Sequence, residues 1–75
     1  MREYGNRIHA DPSILNGKPV VKGTRISVEI ILSRLAEGIS IPEILIAWPN
    51  LTEEDILAAL SYSAAVIAHE ELLVG

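Results

Sequence analysis

A chain of 75 residues has room for one domain with one small core. It contains no cysteine, which excludes disulfides and thiolate metal sites and fits a reducing cytoplasm. The net charge of −4 is divided unevenly: residues 1–34 carry +3, whereas residues 35–75 carry −7 with no Lys or Arg.

The hydrophobic share of 49% is high for so short a chain. Such a chain is expected to share apolar surface with a second molecule, and a homodimer is the expected state. The opening "MREYGNRIHADP" has no apolar signal region. The longest stretch free of Asp, Glu, Lys and Arg, Ile56 to His69, is shorter than the roughly 20 residues of a membrane span. No membrane association is expected, and the cytoplasm is the expected compartment.

"NRIHA" reads as a short strand, with Ile8 and Ala10 on one side and Arg7 and His9 on the other. Asp11-Pro12 breaks it. Asn16-Gly17 marks a tight turn, since both residues tolerate positive φ. "KPVVKG" is extended, and Pro19, lacking an N–H, places it at a sheet edge or strand start. Gly23 marks a second turn. Residues 1–26 thus form a ribbon arm, and residues 27–75 a three-helix unit within a single domain.

Ser27 is the predicted N-cap of the first helix, with Glu29 in its first turn. Val28, Ile31, Leu32 and Leu35 follow the helical period, and Gly38 ends it. Ser40 and Glu43 have the capping-box spacing, with Pro42 in the first turn of the second helix. Ile41, Ile44, Leu45 and Trp48 form that helix's apolar side, and Pro49-Asn50 closes it. Thr52 caps the third helix, and Glu53, Glu54 and Asp55 fan around its N-terminus. This helix has two apolar stripes. One is Ile56, Leu57, Leu60, Ala64, Ile67 and Ala68. The other is Ala58, Ala59, Tyr62, Ala65, Val66, His69 and Leu73. One stripe serves the core. The second, through Ala58, Tyr62, Ala65, Val66, His69 and Leu73, is expected to meet a second chain or a partner.

Gly17-Lys18 does not begin a phosphate loop, because Pro19 removes an N–H and favours extension. No HExxH or GxSxG motif is present, and the two histidines lie on different elements. The chain is therefore expected to be non-enzymatic, with no catalytic residue, metal or cofactor. The order of elements is mainly α: a short N-terminal β-ribbon, then a helix-turn-helix-like unit. The would-be recognition helix opens with "TEED", however, and its carboxylates would meet phosphate repulsion. If DNA is bound, the surface is Arg2, Arg7, Lys18, Lys22 and Arg25. The alternative is that these are solvated charges on a small ribbon.

Several motifs occur in order: Asp11-Pro12, Gly17 to Val21, Gly23 to Ile26, Gly38 to Ser40, Trp48 to Leu51, and Ala59 to Tyr62. Together they resemble the bacterial and archaeal domain-of-unknown-function family numbered 433 (DUF433) over nearly the whole chain, with Trp48 where the family often carries Tyr. The resemblance implies a homeodomain-like fold and an antitoxin role beside a small PIN-like ribonuclease, with DNA binding as a second activity of the complex. Such nucleases hold metal in an acidic pocket. A cation on a rigid turn, Arg25 with Lys22, has the chemistry to plug it. The structural alternative has Arg25 paired within the fold, to Asp11 or to helix-end carbonyls, with Gly23 and Thr24 shaping the turn.

Overall fold

The computed structural model describes residues 7–74, with side chains as far as residue 68. Its elements are β1 (Ile8–His9), a 3-10 turn (Leu15–Gly17), β2 (Val20–Val21), α1 (Val28–Ala36), α2 (Ile41–Ala47) and α3 (Glu53–Val74). The protein is mainly helical, with a short two-stranded antiparallel ribbon ahead of three helices.

The ribbon pairs Ile8 with Val21 and His9 with Val20. On its other side β2 meets the entry to α1: Val20 bridges Ser27, and the Val28 N–H donates to the Pro19 carbonyl at 2.9 Å. Flanked on both sides, β2 buries both of its valines. The tight turn is wider than expected. Leu15 joins Asn16 and Gly17 at positive φ, of 49°, 59° and 84°.

Each helix start is held by its own side chains. Ser27 accepts from the Ile30 N–H at 3.0 Å. Ser40 and Glu43 complete a reciprocal capping box. α1 ends at Gly38, whose φ of 90° lets the Gly38 N–H reach the Leu35 carbonyl and the Ile39 N–H reach that of Arg34. This is the Schellman arrangement, and the left-handed residue it needs is the glycine.

Ile8, Val21, Val28, Ile31, Ile44, Leu51, Ile56, Ala58 and Ala59 form one core, with Trp48 and Tyr62 packed on its margin. α3 rests on α1, β1 and α2. Among the described residues no helix is long and apolar enough to cross a membrane.

Candidate partner-binding surface

The loop of residues 22–25 is closed at its base, where the Val21 N–H donates to the Ile26 carbonyl at 2.9 Å. Gly23 turns it at φ 83°. Thr24 then locks it: its hydroxyl donates to the Val21 carbonyl at 2.8 Å and accepts from the Ile26 N–H at 3.0 Å. The structural work thus falls to Gly23 and Thr24. Arg25 is exposed at the loop's end and has no hydrogen bond or ion pair among the described residues. Asp11 does not reach it, being engaged by the Ser13 N–H at 2.9 Å and the Ser13 hydroxyl at 2.8 Å.

The four candidate cations among the described residues therefore separate into two kinds. Arg7 donates to Asp55 at 3.0 Å, and the Asp55 side chain is largely buried. Lys18 reaches Glu29 at 2.9 Å across an exposed pair, which contributes little to stability. Lys22 and Arg25 share one rigid loop, and both side chains point to solvent without a partner among the described residues. Arg2 lies outside the described residues.

Asp55 is the residue the sequence reading placed differently. It does not fan outward with Glu53 and Glu54, which are exposed. Its second oxygen accepts from the Thr52 N–H at 3.0 Å, while its own N–H donates to the Thr52 hydroxyl at 3.2 Å. One carboxylate thus caps α3 and ties it to β1. The Thr52-x-x-Asp55 spacing carries the capping half of this role; nothing local carries the Arg7 half.

The two stripes of α3 exchange roles. Ala58 and Ala59 are buried and Tyr62 is half-buried, because small side chains let α3 approach α1 closely. Ala58 belongs to its own chain's core and is not available to a second chain, which corrects its assignment to the interface. Ala65 and Val66 are exposed, and the side chains of His69 and Leu73 lie outside the described residues. Of the other stripe, only Ile56 is buried; Leu57, Leu60, Ala64, Ile67 and Ala68 are exposed.

Three exposed carboxyls titrate below their ordinary range. Asp11 is held down by the Ser13 N–H, Glu29 by its bond to Lys18, and Glu43 by the Ser40 N–H. Among the described residues no three of His, Asp and Glu are grouped to hold a metal ion. Trp48 also lines an open groove of about 340 Å³ with Arg34, Ile39, Glu43, Ile44 and Ala47.

These features define a small ribbon-plus-three-helix domain whose free cations, among the described residues, sit on one preorganised loop. The chain belongs to the DUF433 family, described as proteins of unknown function, whose family model matches residues 8–63. It is similar to the uncharacterised protein y4eO of Sinorhizobium fredii, with 41% identity over 58 residues. That match takes in 77% of this chain but spans only 26% of the longer protein. The fold is similar to the crystal structure of a DUF433 member from Anabaena variabilis, with a TM-score of 0.80 and 28% identity. That likeness covers 92% of this chain and 68% of the solved one.

Proposed function

We propose that the chain is a non-enzymatic protein-binding module, the antitoxin partner of a small PIN-like ribonuclease. The observation that carries this reading is the contrast among its cations. Arg7 and Lys18 are bonded inside the fold, whereas Lys22 and Arg25 are held out on a loop already closed by Val21, Thr24 and Ile26. A guanidinium presented on a rigid turn loses little freedom on binding, and it matches a carboxylate in a two-bonded geometry. An acidic metal pocket is the complementary surface. The family resemblance supplies the ribonuclease.

The test is affinity capture of the tagged chain from its own host after nuclease treatment, with mass spectrometry of what stays bound. The captured nuclease is then purified and titrated with wild type and Arg25→Ala. Arg25→Ala should lose binding by about 10-fold or more while its stability stays within about 0.5 kcal/mol of wild type. Recovery of the chain alone, or full-strength binding by Arg25→Ala, overturns the reading.

A second reading, direct DNA binding as a stand-alone helix-turn-helix regulator, draws on the same two cations. The exposed Glu53 and Glu54 at the start of α3 oppose it, because phosphate would be repelled there. Flow-through of the purified chain on heparin at low salt would remove it.

A further inference from the structure

We propose that Asn16-Gly17 is a modification site gated by the fold: the closed turn keeps Asn16 chemically silent, and the open turn lets it deamidate irreversibly to an isoaspartyl residue that prevents the turn from closing again. The chain has three asparagines, of which Asn6 precedes Arg7 and Asn50 precedes Leu51; Asn16 alone precedes a glycine. Deamidation begins when the next residue's main-chain nitrogen attacks the asparagine carboxamide carbon, and a glycine, having no side chain, leaves that approach unhindered. Asn16 is exposed, and its carboxamide makes no hydrogen bond among the described residues. Exposure thus favours the reaction, and the main chain opposes it.

The main chain does so in two ways. At the Asn16 ψ of 32° the Gly17 nitrogen lies across the Cα–C bond from Cβ, nearly opposite the side chain it would have to reach. The Gly17 N–H is also donated to the Ile14 carbonyl at 2.9 Å, so the nucleophile is engaged. The Lys18 N–H donates to the Leu15 carbonyl at 3.2 Å and closes the turn a second time. Ring closure therefore needs rotation about the Asn16 ψ and loss of the Gly17 bond, which together amount to opening the turn. Leu15, at φ 49°, occupies the left-handed region that its side chain disfavours, so the closed turn carries a cost of its own.

In the open turn the Gly17 nitrogen bonds to Asn16 Cγ, the Cγ–Nδ2 bond breaks, and Nδ2 leaves as ammonia with the Gly17 proton. Water then opens the cyclic imide. Addition at Cγ restores the ordinary main chain with an aspartate at position 16. Addition at the main-chain carbonyl carbon leaves the chain running through Cγ, with a free α-carboxylate. Neither step needs an oxidant or a cofactor. Aspartate tolerates the left-handed region, so the first product closes the turn as asparagine does. The isoaspartyl product has an extra carbon in the main chain, which displaces the Gly17 and Lys18 N–H groups from the carbonyls they bond. The turn leads into β2, whose far end carries the basic loop, so the lesion loosens the support of Lys22 and Arg25.

The test uses the full chain and no partner protein, so its result is separate from that of the ribonuclease titration. Wild type is held in mildly alkaline buffer with and without denaturing guanidinium chloride. Isoaspartate is then measured with an isoaspartyl-specific methyltransferase and located by peptide mass spectrometry. In guanidinium the product should accumulate at Asn16 about 10-fold faster or more than in native buffer, because closure keeps the reactive form a minor population. The isoaspartyl chain, returned to native buffer, should show a lower urea midpoint than wild type, whereas Asn16→Asp should keep the wild-type midpoint. Equal rates in the two solvents, or accumulation chiefly at Asn6 or Asn50, overturns the proposal. So does an isoaspartyl chain with the wild-type midpoint, since the lesion would then leave the turn closed.

Discussion

Asp55 and Arg25 show how differently two charged residues can be used in one small fold. Asp55 satisfies the Thr52 N–H with one oxygen and Arg7 with the other, at 3.0 Å each. Its removal leaves a helix end and a half-buried guanidinium short of an acceptor. Bonds to a charged acceptor contribute about 1.5–3 kcal/mol, and solvent at the 39%-exposed Arg7 side chain reduces that. Asp55→Asn should therefore lower stability by about 1–2 kcal/mol in urea unfolding. An unchanged midpoint would mean that the pair contributes nothing. Arg25 bonds nothing described within the fold, so it is free for a partner. The two residues belong to the same class in the sequence, and only their neighbours separate them. The Arg7–Asp55 pair spans 48 positions, a separation no local pattern reports.

At the scale of elements the local signals suffice, because caps and turns are decided within a few residues. Ser27, Ser40 and Thr52 each accept the N–H predicted for a helix start, and Gly38 ends α1 where its positive φ is needed. The Ser40–Glu43 box also sets a pH dependence. The folded Glu43 carboxyl titrates below its ordinary value of 4.5, held down by the Ser40 N–H. On acidification the unfolded chain therefore takes up the proton first. The box's contribution is intact above about pH 4.5 and is lost as pH falls through the lower folded value. Glu29 and Asp11 act in the same direction. Urea midpoints should fall on the acid side, and Glu43→Gln should show a shallower fall than wild type. Equal slopes would deny the box a role. The Leu15 φ of 49° is the element-scale feature that no cap or turn signal marks, since leucine rarely adopts it.

The whole molecule depends on a core of few residues. A domain of this length has a total stability of roughly 4–11 kcal/mol. Ile31 is completely buried between the ribbon and the helices. Ile31→Ala should cost about 2–5 kcal/mol, enough to remove much of that margin, and thermal unfolding by circular dichroism should lose its cooperative transition or shift sharply downward. A small shift would place the core elsewhere. The same shortage of interior shows in α3: among the described residues the domain body covers it as far as Tyr62, and Ala64 to Ala68 are exposed.

The sequence by itself determined the order of the elements, their caps and turns, the helical core positions of α1 and α2, and the family, because these depend on residues a few positions apart. Only the tertiary structure decided which stripe of α3 faces inward, which cations are spent inside the fold and which carboxylate is buried. Two apolar stripes have the same period, and six cations have the same charge. What distinguishes them is the approach of distant segments: alanines at Ala58 and Ala59 admitting α1, and Asp55 standing within reach of Arg7 while Arg25 has nothing to meet.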